Sequence, residues 1–194
     1  MKTIDLTVDS NGVALLTIDV KERSMNVLTP EFLTDLASAV EKVTGDEAIK
    51  GAVLTSAKDS FIAGADLMNL VNAYEDGRSV KEKYEQSRSF QTLLRTMETC
   101  GKPFVAAING TALGGGLEIC LACHYRVAAD NPKAVLGLPE VKVGLLPGGG
   151  GTQRLPRLIG QQSALQLMTQ GTHLPPDYRP PLGSGRRDRS QDRR

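Results

Sequence analysis

Two glutamates stand in apolar, glycine-rich surroundings in the second half of the chain. Glu118 follows three consecutive glycines and a leucine, and Glu140 follows the tripeptide Gly-Leu-Pro. Burying a carboxylate is costly, so a sequence seldom surrounds one with apolar neighbours without a reason. Two such carboxylates, beside loops rich in free backbone N–H groups, indicate acid/base chemistry on a substrate that develops negative charge.

Each glutamate also has a simpler interpretation when taken alone. Glu118 falls in the first turn of a predicted helix, where an acidic residue interacts favourably with the helix dipole. Glu140 follows Pro139, and Pro-Glu is an ordinary way to begin a helix. The residues by themselves leave both interpretations open.

Two loops rich in small residues could bind an anion through their backbone. Residues 61–66 (FIAGAD) join a strand to a helix, and residues 114–116 are all glycine. Small residues let a ligand approach the backbone, and N–H groups at a helix start are unpaired. The alternatives are a helix cap at Asp66 and a plain glycine turn. No Lys-Ser/Thr follows the glycines, which excludes a P-loop.

Three motifs together carry a family resemblance. They are SFIAGADL at residues 60–67, AINGTALGGGLE at 107–118, and LPEVKVGLLPGGGGTQRLPRLIG at 138–160. In this order they resemble the signature of the enoyl-CoA hydratase/isomerase (crotonase) superfamily. The resemblance covers roughly residues 1–172.

Two further segments narrow the resemblance within that superfamily. Residues 122–126 (ACHYR) and the connection at 130–140 (DNPKAVLGLPE) are similar to the hydratase part of the multifunctional α subunit of fatty acid oxidation. In that multifunctional protein a dehydrogenase part follows the hydratase part. The resemblance therefore leaves open whether a dehydrogenase domain belongs downstream.

The resemblance also implies a role for each motif residue. Glu118 and Glu140 would be catalytic, and the backbone N–H groups of Ala63 and Gly115 would form an oxyanion hole for a thioester oxygen. Coenzyme A would be part of the substrate, with no separate cofactor and no metal. The substrate-binding residues implied by the motifs are Met25, Ala65, Asp66, Leu67 and Gly114.

The implied activity is the reversible hydration of trans-2-enoyl-CoA to 3-hydroxyacyl-CoA in fatty acid β-oxidation. A Δ3-Δ2-enoyl-CoA isomerase needs the same oxyanion hole and a single carboxylate, so it is the nearest alternative. A binding or assembly protein without activity is another. The family's members imply a homo-oligomer or pairing with a thiolase subunit as the assembly.

Hydrophobic patterns predict strands alternating with helices, which indicates an α/β fold. The resemblance sharpens this to a superhelix of repeated ββα units with its C-terminal helices missing. The predicted strands are 4–9, 13–19, 51–56, 104–108, 125–129 and 134–136. The predicted helices are 30–45, 66–74, 78–97, 117–123, 152–159 and 161–170.

Composition excludes several classes of protein. The 194 residues carry a net charge of +1, which gives no reason to expect nucleic acid as a partner. No apolar run is long enough for a signal peptide or a membrane span, so we expect a cytoplasmic protein. Three cysteines argue against a disulfide framework. Cys120 and Cys123 lie three positions apart, and His124 is the only further ligand nearby, which is too few for zinc; both cysteines are predicted to be small core residues.

The last residues differ from the rest in composition. Residues 173–194 contain six arginines and four prolines, and such a segment buries too little apolar surface to order. We expect an incomplete hydratase domain at 1–172 and a disordered tail at 173–194, from a shifted reading frame or a truncated gene, in an enzyme that could be inactive. An RNA-binding arm is less favoured because Tyr178 is the tail's only aromatic residue.

Overall fold

A computed structural model describes residues 1–174, which include the whole of the predicted domain. The part of the predicted tail from residue 175 onward lies outside the described residues. Within residues 1–174, no helix is long and apolar enough to cross a membrane.

A five-stranded sheet forms one wall of the molecule. Its first two strands are antiparallel, and the remaining neighbours are parallel. In spatial order the strands are β1 (Ile4–Val8), β2 (Val13–Ile18), β3 (Gly51–Ser56), β4 (Phe104–Ile108) and β6 (Tyr125–Ala128).

A smaller sheet and six α-helices complete the described chain. The small sheet contains β5 (Ala112–Leu113), β7 (Leu136–Gly137) and β8 (His173–Leu174), in that order. The helices are α1 (Pro30–Gly45), α2 (Leu67–Glu75), α3 (Val80–Thr99), α4 (Gly115–Ala122), α5 (Gly151–Ile159) and α6 (Gln161–Gln170), with a short 3-10 helix at Glu140–Val143.

The chain repeats a unit of two strands and a helix. β1, β2 and α1 form the first unit, and β4, β5 and α4 form a later one. After β3 the second strand is reduced to a single bridge between Ile62 and Ala112, and α2 and α3 follow. The predicted α/β class and ββα repeat are therefore observed.

Helix α1 shows how the local sequence fixes an element. The Thr29 hydroxyl accepts a hydrogen bond from the Phe32 N–H (3.1 Å), and Pro30 occupies the first helical position, where no N–H is needed. Phe32, Leu36 and Val40 are buried in the core at helical spacing. The predicted bounds 30–45 are confirmed.

Helix α4 lies inside the core. Seven of its eight residues are buried, and all of the buried residues except Glu118 are apolar or glycine, apart from the thiol of Cys120. Cys120 and Cys123 are buried free thiols, which confirms their prediction as core residues. The buried environment raises the pKa of both thiols.

The prediction of disorder is wrong for the two residues of the predicted tail that the structure describes. His173 and Leu174 form β8, which pairs with Gly137 and Leu136 of β7. The composition argument missed this strand because ladder hydrogen bonds use the backbone and need no apolar side chain.

Asn26 is the buried polar group that joins the loop before α1 to the rest of the fold. Its side chain is fully buried and accepts a hydrogen bond from the Val20 N–H (2.9 Å). Its amide donates to the Ile18 carbonyl (3.1 Å), the Ser56 hydroxyl (2.9 Å) and the Phe61 carbonyl (3.2 Å). One side chain thus connects β2, β3 and the loop that leads to α2.

Replacing Asn26 by alanine should lower the free energy of unfolding by about 2–4 kcal/mol, because several buried groups lose their partner. Chemical denaturation measures the change. Gln166→Ala, which removes a similar amide from the exposed face of α6, is the control and should change the stability by less than about 0.5 kcal/mol. A loss below about 1 kcal/mol for Asn26→Ala would show that these hydrogen bonds are not needed.

Candidate active site

Glu118 is a buried carboxylate in the first turn of α4. Only 3% of the residue is exposed. Its Oε1 accepts a hydrogen bond from the Gly151 N–H at 2.8 Å, and the Gly149 N–H also donates to the carboxylate. Burial raises the pKa of Glu118, while these two N–H groups and the cation of Arg154 partly offset that rise.

Glu140 is the first residue of the 3-10 helix that follows Pro139. It is half-buried, and burial raises its pKa to about 7, with a smaller contribution from the negative charge of Glu118. Its Oε2 is buried and has no hydrogen-bond partner among the described residues. A buried carboxyl oxygen without a partner is unusual and marks a place where a ligand can bind.

The two glutamates face one cavity of about 930 Å³. Gly114 and Gly115 lie between them: a side-chain carbon on Gly114 would stand 3.3 Å from Oε1 of Glu140, and one on Gly115 would stand 3.9 Å from Oε2 of Glu118. The cavity wall is largely apolar, with Leu28 among its residues. Two carboxyl groups with raised pKa values therefore flank a glycine pair in an apolar cavity.

The Gly115 N–H is available to a ligand. It belongs to the first turn of α4 and donates to no acceptor among the described residues, whereas the preceding Gly114 N–H bonds the Gly137 carbonyl (2.9 Å). Gly114 has a φ of 55°, in the left-handed region that favours glycine. The prediction that Gly115 presents a free donor is consistent with this geometry.

The predicted donor Ala63 does not fit the structure. Its N–H donates to the Asn26 carbonyl at 2.8 Å and is therefore not free. Two residues on, the Ala65 N–H has no acceptor within residues 1–174, and Ala65 lines the same cavity as Gly115. Like the Gly64 N–H, the Ala65 N–H is therefore a backbone donor of this loop without an acceptor among the described residues, and the sequence had indicated only substrate binding for Ala65.

Asp66, the residue after Ala65, has a mainly structural role. The Asp66 carboxylate caps α2, accepting hydrogen bonds from the Met68 N–H (3.0 Å) and the Asn69 N–H (3.3 Å). Its other oxygen forms an ion pair with Arg23 at 2.6 Å. The helix-cap interpretation of Asp66 is therefore observed, although Asp66 also lines the cavity.

The remaining predicted contacts divide into two groups. Leu67 and Gly114 line the cavity, and Leu67 is 56% exposed there. Met25 is 49% exposed and is not among the residues that line the cavity. Its predicted role in binding is not supported by the position of its side chain.

The glycine turn at 148–151, which lies within the third motif, contacts Glu118, and nothing in the sequence indicated this contact. A side-chain carbon on Gly149 would stand 2.6 Å from Oε2 of Glu118, and one on Gly151 would stand 3.0 Å from Oε1. Glycine is needed here because the backbone itself contacts the carboxylate. The run of four glycines was the available signal, but it did not specify what approaches them.

The described residues offer no metal centre. No group of three or more His, Cys, Asp or Glu side chains within residues 1–174 is arranged to hold a metal ion. The arrangement that is present, two carboxyl groups and two free N–H groups, can move protons and stabilise an oxyanion.

Comparisons with known proteins identify the family. Residues 9–178 match the family model described as enoyl-CoA hydratase/isomerase. The chain is 47% identical over 176 residues to the fatty acid oxidation complex subunit alpha of Shewanella halifaxensis, and 45% identical over 174 residues to that of Idiomarina loihiensis. These alignments cover 90% and 89% of this chain but only 24% of either relative, so the chain spans about a quarter of their length.

Solved structures give the same result for the fold. An enoyl-CoA hydratase from Bacillus anthracis superposes with a TM-score of 0.77 at 35% identity, covering 89% of this chain and 64% of that one. An enoyl-CoA hydratase from Geobacillus kaustophilus superposes with a TM-score of 0.81 at 29% identity, covering 91% and 64%. The fold is the crotonase fold, and the chain belongs to the enoyl-CoA hydratase/isomerase family.

Proposed function

We propose that the site adds water reversibly to a trans-2-enoyl-CoA and forms a 3-hydroxyacyl-CoA. The observation that carries this proposal is the pairing of Glu118 and Glu140 across a cavity that also contains the free N–H groups of Ala65 and Gly115. Acid, base and oxyanion donors are then present together, and the reaction needs all three.

The two backbone donors would bind the thioester oxygen of the substrate. When water adds to C3, negative charge develops on that oxygen as an enolate. Donors already directed at the oxygen stabilise the transition state more than the ground state, which is the condition for catalysis. The free N–H groups of Ala65 and Gly115 support this role because each has no competing acceptor in the described part of the chain.

The two carboxyl groups would handle the protons. One takes a proton from the attacking water as its oxygen bonds to C3, and the other delivers a proton to C2. The pair must therefore carry one proton in total. A pKa of about 7 for Glu140 and a raised pKa for Glu118 support a singly protonated pair near neutral pH. The division of the acid and base roles belongs to the pair and not to either residue alone.

Hydration uses the site more fully than isomerisation does. Shifting a double bond from C3 to C2 needs one carboxyl group, which carries a proton between two carbons. A second carboxyl group would have no proton to transfer in that reaction. Both Glu118 and Glu140 face the cavity, and the free Oε2 of Glu140 can hold a water molecule. We therefore propose hydratase activity ahead of Δ3-Δ2-enoyl-CoA isomerase activity.

The substrate class follows from the shape of the site and from the relatives. The cavity is largely apolar, as an acyl chain requires, and coenzyme A would enter as part of the substrate with no further cofactor. The relatives from Shewanella and Idiomarina are named as subunits of a fatty acid oxidation complex. We propose acyl-CoA intermediates of fatty acid oxidation as substrates, and a further subunit of such a complex or a second copy of this chain as the assembly partner.

Glu140→Gln should reduce the turnover number for hydration of trans-2-butenoyl-CoA by about 10²–10⁴-fold with little change in KM. The amide has nearly the same shape as the carboxyl group but cannot carry the proton. Loss of the enoyl thioester absorbance measures the rate. Glu41→Gln, on the exposed face of α1, is the matched control and should keep the original rate. Turnover in Glu140→Gln close to that of the unmodified chain would exclude Glu140 from the reaction.

Removing single backbone N–H groups tests whether Ala63 or Ala65, both in the loop at residues 61–66, donates to the thioester oxygen. Replacing Ala65 by lactic acid through nonsense suppression keeps the methyl group but converts the amide to an ester. We expect a fall in kcat of about 10²–10³-fold. The same replacement at Ala63 removes the hydrogen bond to Asn26 and should lower the stability by about 1 kcal/mol. The change in kcat at Ala63 should stay below about tenfold, since no donor to the substrate is lost. The reverse pattern would restore the original assignment of Ala63.

The pKa of Glu140 also predicts a pH dependence of stability. In the folded state the pKa is about 7, above the ordinary value of 4.5. The native state therefore binds more protons between these values, and the free energy of unfolding should fall as the pH rises from about 4.5 to about 7. In Glu140→Gln the free energy of unfolding should lack the part of this decrease that Glu140 causes. The variant should therefore be more stable than the original chain at pH 8. Denaturation at pH 5 and pH 8 measures it, and parallel pH profiles for the two proteins would contradict the raised pKa.

A further inference from the structure

The turn formed by residues 148–151 separates two cavities. On one side it meets the carboxylate of Glu118 through the N–H groups of Gly149 and Gly151. On the other side lies a second cavity of about 1,040 Å³, whose wall contains Arg154 and Glu98. The carbonyl groups of Gly148 and Gly149 accept hydrogen bonds from side chains of other elements, which connect the turn to the rest of the fold.

Arg154 holds the turn from the second cavity. Its Nη1 donates to the Gly149 carbonyl at 2.9 Å, and its Nη2 contacts the Glu98 carboxylate on α3 at 3.3 Å. Only 13% of its side chain is exposed. The guanidinium lies against Gly150, whose φ of 100° and lack of a side chain leave room for it. Gln91 of α3 adds a further hydrogen bond to the Gly148 carbonyl at 2.7 Å.

The same guanidinium acts on Glu118 through its charge. The charged groups directed at the Glu118 carboxylate are Glu140 from the 3-10 helix and Arg154 from α5. Glu98 on α3 forms ion pairs with both Arg154 and Arg95. Phe90 and Gln91, the α3 residues that contact the turn, are uncharged. Arg154 is the cation that acts on Glu118, and it lowers the pKa that burial raises.

We propose that Arg154 is a positioning residue for the reaction: by binding the Gly149 carbonyl and Glu98 together, it fixes the turn whose N–H groups hold the Glu118 carboxylate. This inference rests on the proposed function, because it assigns to Arg154 the orientation of a group that the hydration uses. This role requires the planar guanidinium of arginine, which donates to two acceptors at once. Lysine at position 154 should therefore fill the role poorly.

Steady-state hydration of trans-2-butenoyl-CoA between pH 5 and pH 9 tests the proposal in the full chain. Arg154→Gln should lower kcat by about 10- to 100-fold and change KM by less than about threefold, since a displaced catalytic group slows the chemistry more than binding. The acid limb of the kcat profile should move to higher pH, because Glu118 loses the cation that favours its charged form. Arg157→Gln is the control and should match the original chain. Arg157 lies on the same helix, is exposed, and donates from its guanidinium to the Gln153 carbonyl.

Arg154→Lys keeps the charge and separates positioning from electrostatics. We expect kcat to fall by about tenfold with the acid limb unchanged, because the ammonium lacks the second arm. This variant also decides the case in which Arg154→Gln does not fold. A folded Arg154→Lys protein with the original kcat would overturn the proposal.

A titration that does not depend on activity distinguishes this inference from the proposed function. ¹³C NMR of labelled glutamate carboxyl groups, with Glu118 assigned from Glu118→Gln, should give a higher titration midpoint in Arg154→Gln than in the original chain or in Arg157→Gln. An original chain without hydratase activity would contradict the proposed function while this titration still decides the role of Arg154. An unchanged Glu118 midpoint together with an unchanged kcat profile in Arg154→Gln would mean that Arg154 only stabilises the fold.

Discussion

The burial of one carboxylate is the constraint on which the site depends. Glu118 lies on a helix that is buried on every side, so its charge has to be balanced by the few polar groups that can reach it. Those groups are backbone N–H groups of the turn at 148–151, and they can approach only because Gly149 and Gly151 have no side chains. A carboxylate without such partners would cost the fold several kcal/mol or be neutral at all working pH values. Partial compensation leaves its pKa raised, which suits a group that exchanges protons.

The second constraint concerns backbone groups that the fold leaves without partners. Nearly all buried N–H groups in proteins are bonded, so a free one beside a cavity is informative. Ala63 and Ala65 are close in sequence, identical in side chain and opposite in this respect. The first is used to attach the loop to Asn26, and the second is left open to the cavity. The same loop therefore has a structural attachment and a binding group two residues apart, and Asp66 fixes both by capping α2 and pairing with Arg23.

Much of the fold was predictable from local signals. The cap at Thr29 and the proline after it indicate where α1 begins, and the cysteine pair was predicted to lie in the core because too few further ligands for zinc lie nearby. The family motifs indicated Glu118, Glu140 and Gly115 together, although the glutamates are 22 positions apart and reach the same cavity through folding alone. Glutamate in a first helical turn is common, so without the motifs neither residue could have been chosen from the sequence.

Other parts of the site had no local signal. The choice between Ala63 and Ala65 depends on which N–H finds an acceptor 37 residues earlier in the chain, at Asn26. The contact of Arg154 with the turn likewise involves Glu98, which pairs with the Arg154 guanidinium from a different helix.

The central claim is that this pair of glutamates adds water to a double bond. The most direct measurement is ¹H NMR of trans-2-hexenoyl-CoA incubated with the chain in D₂O. Hydration predicts 3-hydroxyhexanoyl-CoA that carries one deuterium at C2, because one carboxyl group delivers a solvent-derived proton there. Conversion to 3-hexenoyl-CoA without a hydroxyl product, or recovery of the substrate unchanged and unlabelled, would contradict the assignment.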